Sequence, residues 1–523
     1  MFNRAKAPLT CDFRRKVRSM NRVPDSRRWA GKTGFLAILV FAMAATAAHA
    51  RPVCPDGKTS YFDICPNSVA QGGTPSANAA EIKANLDQGW ALLRDNKNAD
   101  ALFYFRKGAE LGDAQSQLIV GSMYDSGQGV QQDYAQAMTW YRKAADQGYS
   151  EAQNDIGVLY LKGHGVARDY AQAMSWFHRA ADQGNAEGQY NIGLMYALGQ
   201  GVAQDFAQAV VWLRKSAGQG NPDGEYNLGL MYIYGKGVDQ DPAQAMDWFG
   251  KAADQGDADA EDAIGVLYEN GLSVSQDFYK AAEWYKKAAD QGSSTAEFHL
   301  GLLYTRREWM LQDGAQAMAW IRKSADHGNV QAEMMLGNLY EAGAGVPQDN
   351  AQAMAWFLKA AGQGDAGAET MVGFSYALGN LVPQDWSQAM VWFRKAADQG
   401  SAEAQAYIGD MYAQGHGVPQ DNAQALIWYR KAASQGYMPA ELYLASKYQK
   451  GDGVPQDYAE AMIWYRKAAD QGNASALWAL GQMYENGQGV PADHAQALDL
   501  IKQAAAKGYL EAQQWLSAHG GGE

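Results

Sequence analysis

One pattern of small, aromatic and acidic residues repeats along the chain with a fixed period of 36 residues. Tryptophan stands at ten successive positions of this period: Trp140, Trp176, Trp212, Trp248, Trp284, Trp320, Trp356, Trp392, Trp428 and Trp464. A tyrosine follows each tryptophan by twenty residues, a glycine follows it by eight, and an aspartate precedes it by seven, with no insertion or deletion. Regular self-similarity of this length indicates stacked copies of one supersecondary unit rather than several unrelated domains.

Each copy predicts a hairpin of two helices. In the copy at 149–184, apolar residues recur at the helical period: Ala152, Ile156, Leu159 and Tyr160, then Ala173, Trp176, Phe177 and Ala180. The sequence GHGVARD separates the two groups and predicts a turn. Asp169 is a natural N-cap for the second helix, and Gly184 is a natural residue to end it.

A glycine lies inside the first predicted helix of ten of the eleven copies, at Gly157 and its equivalents, and Ala445 is the exception. Glycine at such a position costs about 1 kcal/mol relative to alanine. Its recurrence therefore predicts a close approach of the two helices, with Trp or Tyr filling the adjacent space. We predict that the Trp and Tyr columns are core residues. Aromatic ladders that stack on a ligand are the alternative.

The copies fill residues 113–508 and predict an all-α fold of eleven stacked hairpins, because one hairpin cannot bury its apolar face alone. Residues 81–112 predict a starting hairpin. Residues 509–523 predict a closing helix followed by a short tail that contains glycine.

Residues 1–50 have the features of an export signal. A basic region precedes the apolar run FLAILVFAMAATAA at 35–48, which is shorter than a membrane-spanning helix and is followed by the cleavage pattern AHA. Met20 would begin a signal of more ordinary length. We predict cleavage after Ala50 and a periplasmic or secreted protein without stable membrane insertion. An uncleaved anchor is the alternative.

Residues 51–80 contain Cys54 and Cys65, the two cysteines that cleavage would leave. An even pair in an exported segment indicates one disulfide that closes a small loop. The small and polar residues at 67–80 predict a flexible linker.

Charge argues against nucleic acid as a partner. The whole chain has 44 basic and 57 acidic residues, a formal charge of −13. Residues 1–50 hold ten of the basic and two of the acidic residues, so the remaining chain has 34 basic and 55 acidic residues and a charge of −21. A body this acidic repels phosphate backbones.

The sequence offers no recognisable catalytic or metal-binding motif. It contains neither S-x-x-K nor G-x-S-x-G, and neither a P-loop nor H-E-x-x-H. Seven histidines follow residue 50, and no two of them have the spacing of metal ligands; His164 and His416 share the sequence G-H-G but lie seven copies apart. We therefore expect no catalytic residue, no metal site and no cofactor.

The columns resemble the Sel-1-like repeat family, the 36-residue relatives of tetratricopeptide repeats. The matching motif is A-x-x-x-[LI]-G-x-x-Y-x-x-G-x-G-V-x-x-D followed by A-x-A-x-x-W-[YF]-x-K-A-A-x-Q-G, and copies 185–220 and 401–436 carry nearly all of it. The resemblance covers 113–508, whereas 81–112 is more similar to an ordinary tetratricopeptide hairpin. It implies a right-handed α-solenoid whose first helices line the concave face.

The resemblance also implies a function. Members of the family act mainly as protein-binding scaffolds, often in bacterial envelopes, so we expect a non-enzymatic scaffold that binds a protein or peptide. A cysteine-rich branch is linked to penicillin binding and β-lactamase activity, but residues 113–508 contain no cysteine. A hydrolase of that kind is one alternative, and an assembly factor for exopolysaccharide or peptidoglycan machinery is another. The oligomeric state is left open.

Positions of the first helix that change from copy to copy are the candidates for partner binding, by analogy with tetratricopeptide grooves. They lie three residues before the Gly157-type glycine and one, four and five residues after it. The apolar ones in the early copies are Val158, Leu161, Tyr190, Leu194, Leu198, Tyr226, Leu230, Ile233, Tyr234, Val266, Phe298 and Leu302. Several equivalents beyond 329 are polar, which places the predicted partner on 149–328. Packing between repeats is the alternative.

One copy departs from the common turn. Residues 305–313 have the sequence TRREWMLQD, so that Arg306, Arg307 and Trp309 stand in the region where other copies have G-x-G-V. Exposed Arg and Trp are typical of binding hot spots, and we add these three residues to the candidates. A tryptophan packed down onto its own repeat is the alternative.

Overall fold

A computed structural model describes residues 77–306 and 313–519, and these residues form two compact units with a sequence boundary between Leu303 and Tyr304. The described residues contain 25 helices and no strand. The all-α fold of stacked helical hairpins, that of an α-solenoid, is confirmed. No helix in the described ranges is long and apolar enough to cross a membrane.

The first unit contains α1 (Ala77–Arg94), α2 (Asn98–Glu110), α3 (Ala114–Ser126), α4 (Tyr134–Asp146), α5 (Ser150–Lys162), α6 (Tyr170–Asp182), α7 (Ala186–Leu198), α8 (Phe206–Ala217), α9 (Pro222–Tyr234), α10 (Pro242–Asp254), α11 (Ala258–Asn270), α12 (Phe278–Asp290) and α13 (Ser294–Tyr304), whose last residue opens the second unit. Each odd-numbered helix up to α11 packs against the helix that follows it, and each even-numbered helix up to α10 packs against the first helix of the next hairpin.

The second unit repeats the same arrangement. Its helices are α14 (Gly314–Asp326), α15 (Val330–Ala342), α16 (Asn350–Gly362), α17 (Ala366–Leu378), α18 (Trp386–Asp398), α19 (Ala402–Gln414), α20 (Asn422–Ser434), α21 (Met438–Lys450), α22 (Tyr458–Asp470), α23 (Ala474–Glu485), α24 (His494–Ala506) and α25 (Leu510–His519). The helix α25 packs on α24 and closes the array, as the sequence predicts.

The ends of the helices follow the predicted caps. Asp169 accepts hydrogen bonds from the backbone N–H groups of Ala171 and Gln172 at 2.9 and 3.0 Å, so it is the N-cap of α6. Gly163 ends α5 in the left-handed conformation at φ 74°, where a side chain would be strained. The repeated aspartate and glycine columns therefore set the length of each helix.

The glycine inside the first helix allows close packing, but not against tryptophan. A Cβ added at Gly157 would lie 2.5 Å from Cε1 of Phe177, and one added at Gly229 would lie 2.5 Å from Cε1 of Phe249. The side chain in this space is the residue directly after the Trp column, and it is fully or almost fully buried at Phe177 and Phe249. Of the predicted Trp or Tyr, a tyrosine of this column fills the space at Gly121 and Gly265, as Tyr141 and Tyr285, whereas the Trp column does not fill it.

The Trp column lies at the margin of the core rather than inside it. Trp140 is buried, and the other nine tryptophans are half-buried. One side of Trp248 packs against the core, while the Lys251 ammonium lies 3.6 Å from the ring centroid. Every Trp in the column has such a Lys or Arg within 3.6 to 4.9 Å of its centroid. A cation–π contact covers the ring face that a stacked ligand would need.

The Tyr column joins one hairpin to the next. Arg214 Nη2 at the end of α8 donates to the hydroxyl of Tyr232 in α9 at 2.8 Å, and Arg466 donates to Tyr484 in the second unit at 2.7 Å. The rings are mostly half-buried, because the hydroxyl must reach this partner. Both aromatic columns are therefore structural, but amphipathic rather than fully buried.

The structure changes one predicted boundary and leaves others untested. Residues 77–80, assigned by sequence to the flexible linker, are the first turn of α1. The predicted hairpin at 81–112 is present as α1 and α2. The predicted export signal and the Cys54–Cys65 pair lie outside the described residues.

Candidate binding surface

Three odd-numbered helices of the first unit carry non-repeating side chains in ordered rows. Each row takes one residue from the same position of α7, α9 and α11. The first row, at the N-terminal ends of these helices, is acidic and consists of Glu187, Asp223 and Asp259. Toward the C-terminal ends follow Tyr190, Tyr226 and Asp262, then Leu194, Leu230 and Val266, and finally Leu198, Tyr234 and Asn270. Spacings of three, four and four residues place each series on one helical face. We call this face the row surface.

Polar contacts connect neighbouring helices of the row surface. Asn227 Nδ2 in α9 donates to the Tyr190 hydroxyl of α7 at 3.4 Å and to the backbone carbonyl of Asp223 at 2.9 Å. Further along, Nδ1 of His299 in α13 lies 2.8 Å from Oδ1 of Asp262 in α11. These bonds connect α7 to α9, and α11 to the next first helix, α13.

The structure divides the sequence-predicted binding residues into two groups. Five are buried, with 3 to 8% of their surface exposed: Tyr190, Leu194, Tyr226, Leu230 and Phe298. These five pack between helices, so the expectation that they form an open groove is corrected in favour of the packing alternative. The first helices approach so closely at α7 and α9 that this part of the groove is filled.

The remaining predicted residues are more accessible. Val158, Leu161, Leu198, Ile233, Tyr234, Val266, Leu302 and Arg306 are half-buried. Leu198, Ile233 and Tyr234 pack against the edge of one core cluster and lie near the C-terminal ends of α7 and α9. Arg307 and Trp309 lie outside the described residues.

The acidic row has unusual electrostatics. Asp223 is 6% exposed, and its burial together with the neighbouring Glu187, Asp257 and Asp259 raises its pKa to about 8. Desolvation by surrounding protein atoms, with Asp257 and Asp262, raises the pKa of Asp259 to about 6, although Asp259 is exposed as a residue. Burial raises the pKa of Glu187. Sequence reasoning missed this row; its signal is an acidic residue at the same position of four successive copies.

A second feature that sequence reasoning missed is a cleft of about 400 Å³ in the second unit. Its lining residues are Leu442, Gln449, Tyr465, Ser475, Trp478, Ala479, Gln482 and Tyr509. The rings of Trp478 and Tyr509 have their centroids 6.2 Å apart. The available signal was Trp478, a tryptophan where the other copies of the second unit have Met334, Thr370, Ala406 and Leu442. The cleft therefore lies outside the copies that the sequence favoured.

A buried polar ladder also runs through the hairpins. Gln291 Nε2 donates to Oε2 of Glu261 at 2.7 Å, and the Lys287 ammonium lies 3.0 Å from Oε1 of the same carboxylate. Gln363, Lys359 and Glu333 form the same set in the second unit. Because the contacts are satisfied within each hairpin, these buried glutamates are structural. Among the described residues, no group of His, Cys, Asp and Glu has the geometry to hold a metal ion.

A sequence profile of the Sel1 repeat matches twelve segments of the chain: 86–113, 114–149, 150–185, 186–221, 222–257, 258–293, 294–329, 330–365, 366–401, 402–437, 439–473 and 474–509. The chain belongs to the Sel1 repeat family. Sel1 repeat proteins generally act as protein-interaction scaffolds and are typically non-enzymatic. The profile extends the repeats to 86–113, the segment for which the sequence predicted a tetratricopeptide-like hairpin.

Other Sel1 repeat structures are similar to this chain. The uropathogenic Escherichia coli protective antigen c5321 is 36% identical, with 79% of this chain and 88% of that chain covered and a TM-score of 0.44. A Sel1 repeat protein from Oxalobacter formigenes is 33% identical, with 58% and 89% covered and a TM-score of 0.49. The comparison with curated proteins finds no match.

Proposed function

We propose that this Sel1 repeat protein is an exported scaffold that binds a protein partner through the row surface of α7, α9 and α11. The observation that carries the proposal is the group of partly accessible apolar side chains at the C-terminal ends of α7 and α9, Leu198, Ile233 and Tyr234, at positions that vary from copy to copy. A partner would meet the half-buried Leu198, Ile233 and Tyr234 at one end and the acidic row at the other. Over the eleven residues from Asp223 to Tyr234 the two ends are roughly 16 Å apart.

The half-buried end suits a protein partner better than a small molecule. Apolar side chains that are partly exposed at a helix end give a shallow surface, whereas small ligands usually require an enclosing pocket. The fixed hydrogen bonds between neighbouring helices favour a pre-organised surface, which lowers the entropy cost of binding.

Export is part of the proposal and rests on the apolar run at 35–48 and the AHA pattern. N-terminal sequencing of protein recovered from the expressing cells should begin RPVCPDG. Protein that retains 35–48 would instead be anchored. A non-reducing peptide map should link Cys54 to Cys65.

The scaffold role is tested by measuring partner affinity. Protein beginning at Arg51 captures its partner from envelope extracts, and the identified partner is then titrated against variants. The double variant Leu198→Asp/Tyr234→Asp should weaken binding by at least about 10-fold, since each change places a charge on the contact surface. The matched control is Leu378→Asp/Gln414→Asp, which alters the same position in two copies of the second unit.

The control should leave the affinity within about twofold of the wild type, while circular dichroism confirms equal helicity for both double variants. Loss of binding in the control alone would place the site elsewhere, with the cleft at Trp478 as the next surface to test. Hydrolysis of a chromogenic β-lactam by the purified chain would favour the hydrolase instead.

A further inference from the structure

The cleft in the second unit is walled on one side by two aromatic rings. Its lining comes from α21, α22 and α23 and from Tyr509, which directly precedes α25. The ring centroids of Trp478 and Tyr509 lie 6.2 Å apart, with the ring planes tilted by 37°. A third ring inserted between them would need a separation of about 7 Å, because stacked carbon atoms approach to about 3.5 Å. The pair therefore forms one apolar wall on which a flat ligand can stack, rather than a clamp around it.

The side-chain amide of Gln482 is the second unusual feature of the cleft. Its Nε2 atom is buried, and no acceptor of the described residues forms a hydrogen bond with it. A buried donor without an acceptor destabilises a folded protein, and such donors are rare in native structures. An oxygen atom of a ligand in the cleft would satisfy this donor.

The repeat does not require an amide at this position. In α17, Phe374 stands where α23 has Gln482. Phe374 is buried and packs against Tyr407 of the next hairpin, with ring centroids 4.3 Å apart. The same helix has Thr370 where α23 has Trp478. A large apolar side chain thus fits the position of Gln482, and the amide beside Trp478 is a property of this copy rather than of the repeat.

The polar groups of the cleft are uncharged and offer hydrogen bonds of both kinds. Tyr465 donates its hydroxyl proton to Oε1 of Gln449 at 3.0 Å, and Ser475 Oγ donates to Oδ1 of Asn473 at 2.7 Å. Since both protons are engaged, the two hydroxyl oxygens can only accept from a ligand, whereas Gln482 Nε2 can only donate. No acidic or basic side chain of the described residues lines the cleft, so an ionic ligand would find no counter-charge there.

A sugar ring matches this combination of groups. The C–H bonds on one face of a pyranose carry a small positive charge and are attracted to the negative face of an aromatic ring. Each sugar hydroxyl both accepts and donates a hydrogen bond, whereas a peptide carbonyl only accepts. The volume of about 400 Å³ lies within the range of small-ligand sites, roughly 300–1,000 Å³.

We propose that the cleft binds a neutral sugar ring of a glycan, stacked on Trp478 and Tyr509, with one sugar oxygen accepting a hydrogen bond from Nε2 of Gln482. The site lies on helices of the second unit, whereas the row surface lies on helices of the first unit. The inference therefore goes beyond the proposed scaffold function, and either can hold without the other.

Isothermal titration calorimetry of the purified protein tests the site with three neutral disaccharides, cellobiose, maltose and N,N′-diacetylchitobiose, and with acetyl-trialanine amide as an uncharged peptide. We expect at least one disaccharide to bind with a Kd of about 1 mM or lower and the peptide not to bind. The variant Trp478→Ala should weaken sugar binding by at least about 10-fold, because the stacking wall is lost. The matched control Met334→Ala, at the same position of α15, should leave the Kd within about twofold of the wild type.

A second variant separates binding from folding. Gln482→Leu removes the donor and should weaken sugar binding by about 3- to 10-fold, while Tm stays equal to or above that of the wild type because the unpartnered donor is gone. This variant decides the test if Trp478→Ala has reduced helicity. Binding of none of the disaccharides, an unchanged Kd in Gln482→Leu, or tighter binding of the peptide than of every disaccharide would overturn the inference.

Discussion

At the residue scale, the glycine inside each first helix determines how closely the second helix can pack. A Cβ at Gly229 would lie 2.5 Å from Cε1 and 2.7 Å from Cδ1 of Phe249, which is itself 1% exposed. The ring cannot move aside without disturbing a filled core. The cost of a glycine within a helix is therefore offset by the close packing that it allows.

The variant Gly229→Ala should destabilise the protein by about 1–3 kcal/mol, because overpacking exceeds the gain in helix propensity. The matched control is Gly250→Ala in α10, where an added Cβ meets nothing within 4 Å. That change should stabilise by up to about 1 kcal/mol. Urea unfolding of the two variants measures the difference, and equal effects would refute the close-approach explanation.

Asp223 gives a second prediction at the residue scale. Its carboxyl pKa is raised to about 8 by burial and by Glu187, Asp257 and Asp259. The folded state therefore holds a proton that the unfolded state releases above pH 4, and stability should fall as the pH rises from about 4 to 8. In Asp223→Asn this part of the fall should disappear, which thermal unfolding across that range would detect. A pH profile identical to that of the wild type would show that Asp223 is ionised and solvated at neutral pH.

At the element scale, the sequence predicted the hairpins well and the position of the aromatic columns less well. Periodicity and caps such as Asp169 are local signals, so the helices and their ends could be read directly. One face of Trp248 packs against the core and Lys251 covers the other face. This arrangement depends on how one helix is rotated against its neighbour, which local sequence patterns do not reveal. The neighbouring Phe249 fills the glycine space, and its only sequence signal was a column of large apolar and aromatic residues directly after the Trp column.

The two aromatic neighbours should therefore differ in their contribution to stability. Phe249→Ala empties a fully enclosed site and should cost about 3–5 kcal/mol. Trp248→Ala removes a half-buried ring and one cation–π contact, so we expect a smaller loss of about 1–3 kcal/mol. Denaturant unfolding of both variants tests the order, and a larger loss for Trp248→Ala would restore the original prediction of a Trp core.

At the scale of the whole molecule, a repeat protein transmits stability mainly between adjacent copies. The variant Phe393→Ala, which empties the glycine space of α17 and α18, should speed amide exchange most in the hairpins next to it. Exchange in α3 to α6 of the first unit should remain near wild-type rates. Hydrogen exchange with mass spectrometry resolves these segments, and uniform acceleration over both units would instead indicate one cooperative core.

The candidate surface was only partly predictable from sequence. Column variation drew attention to α7 and α9, but Tyr190 and Tyr226 are buried because the first helices pack closely there. That closeness, like the cleft beside Tyr509, results from the relative placement of helices far apart in sequence. The acidic row was visible as a run of acids, yet the low exposure of Asp223 could be recognised only from the packing around it.

The central claim, that a protein partner docks on the row surface, is tested most directly by site-specific photo-crosslinking. A photoreactive phenylalanine analogue at Tyr234, half-buried on the row surface, should give an adduct of discrete mass with the partner. The same analogue at Tyr279, which is 49% exposed on α12, provides the matched control. We predict an adduct from position 234 and none from 279. An adduct from 279, with none from 234, would contradict the account.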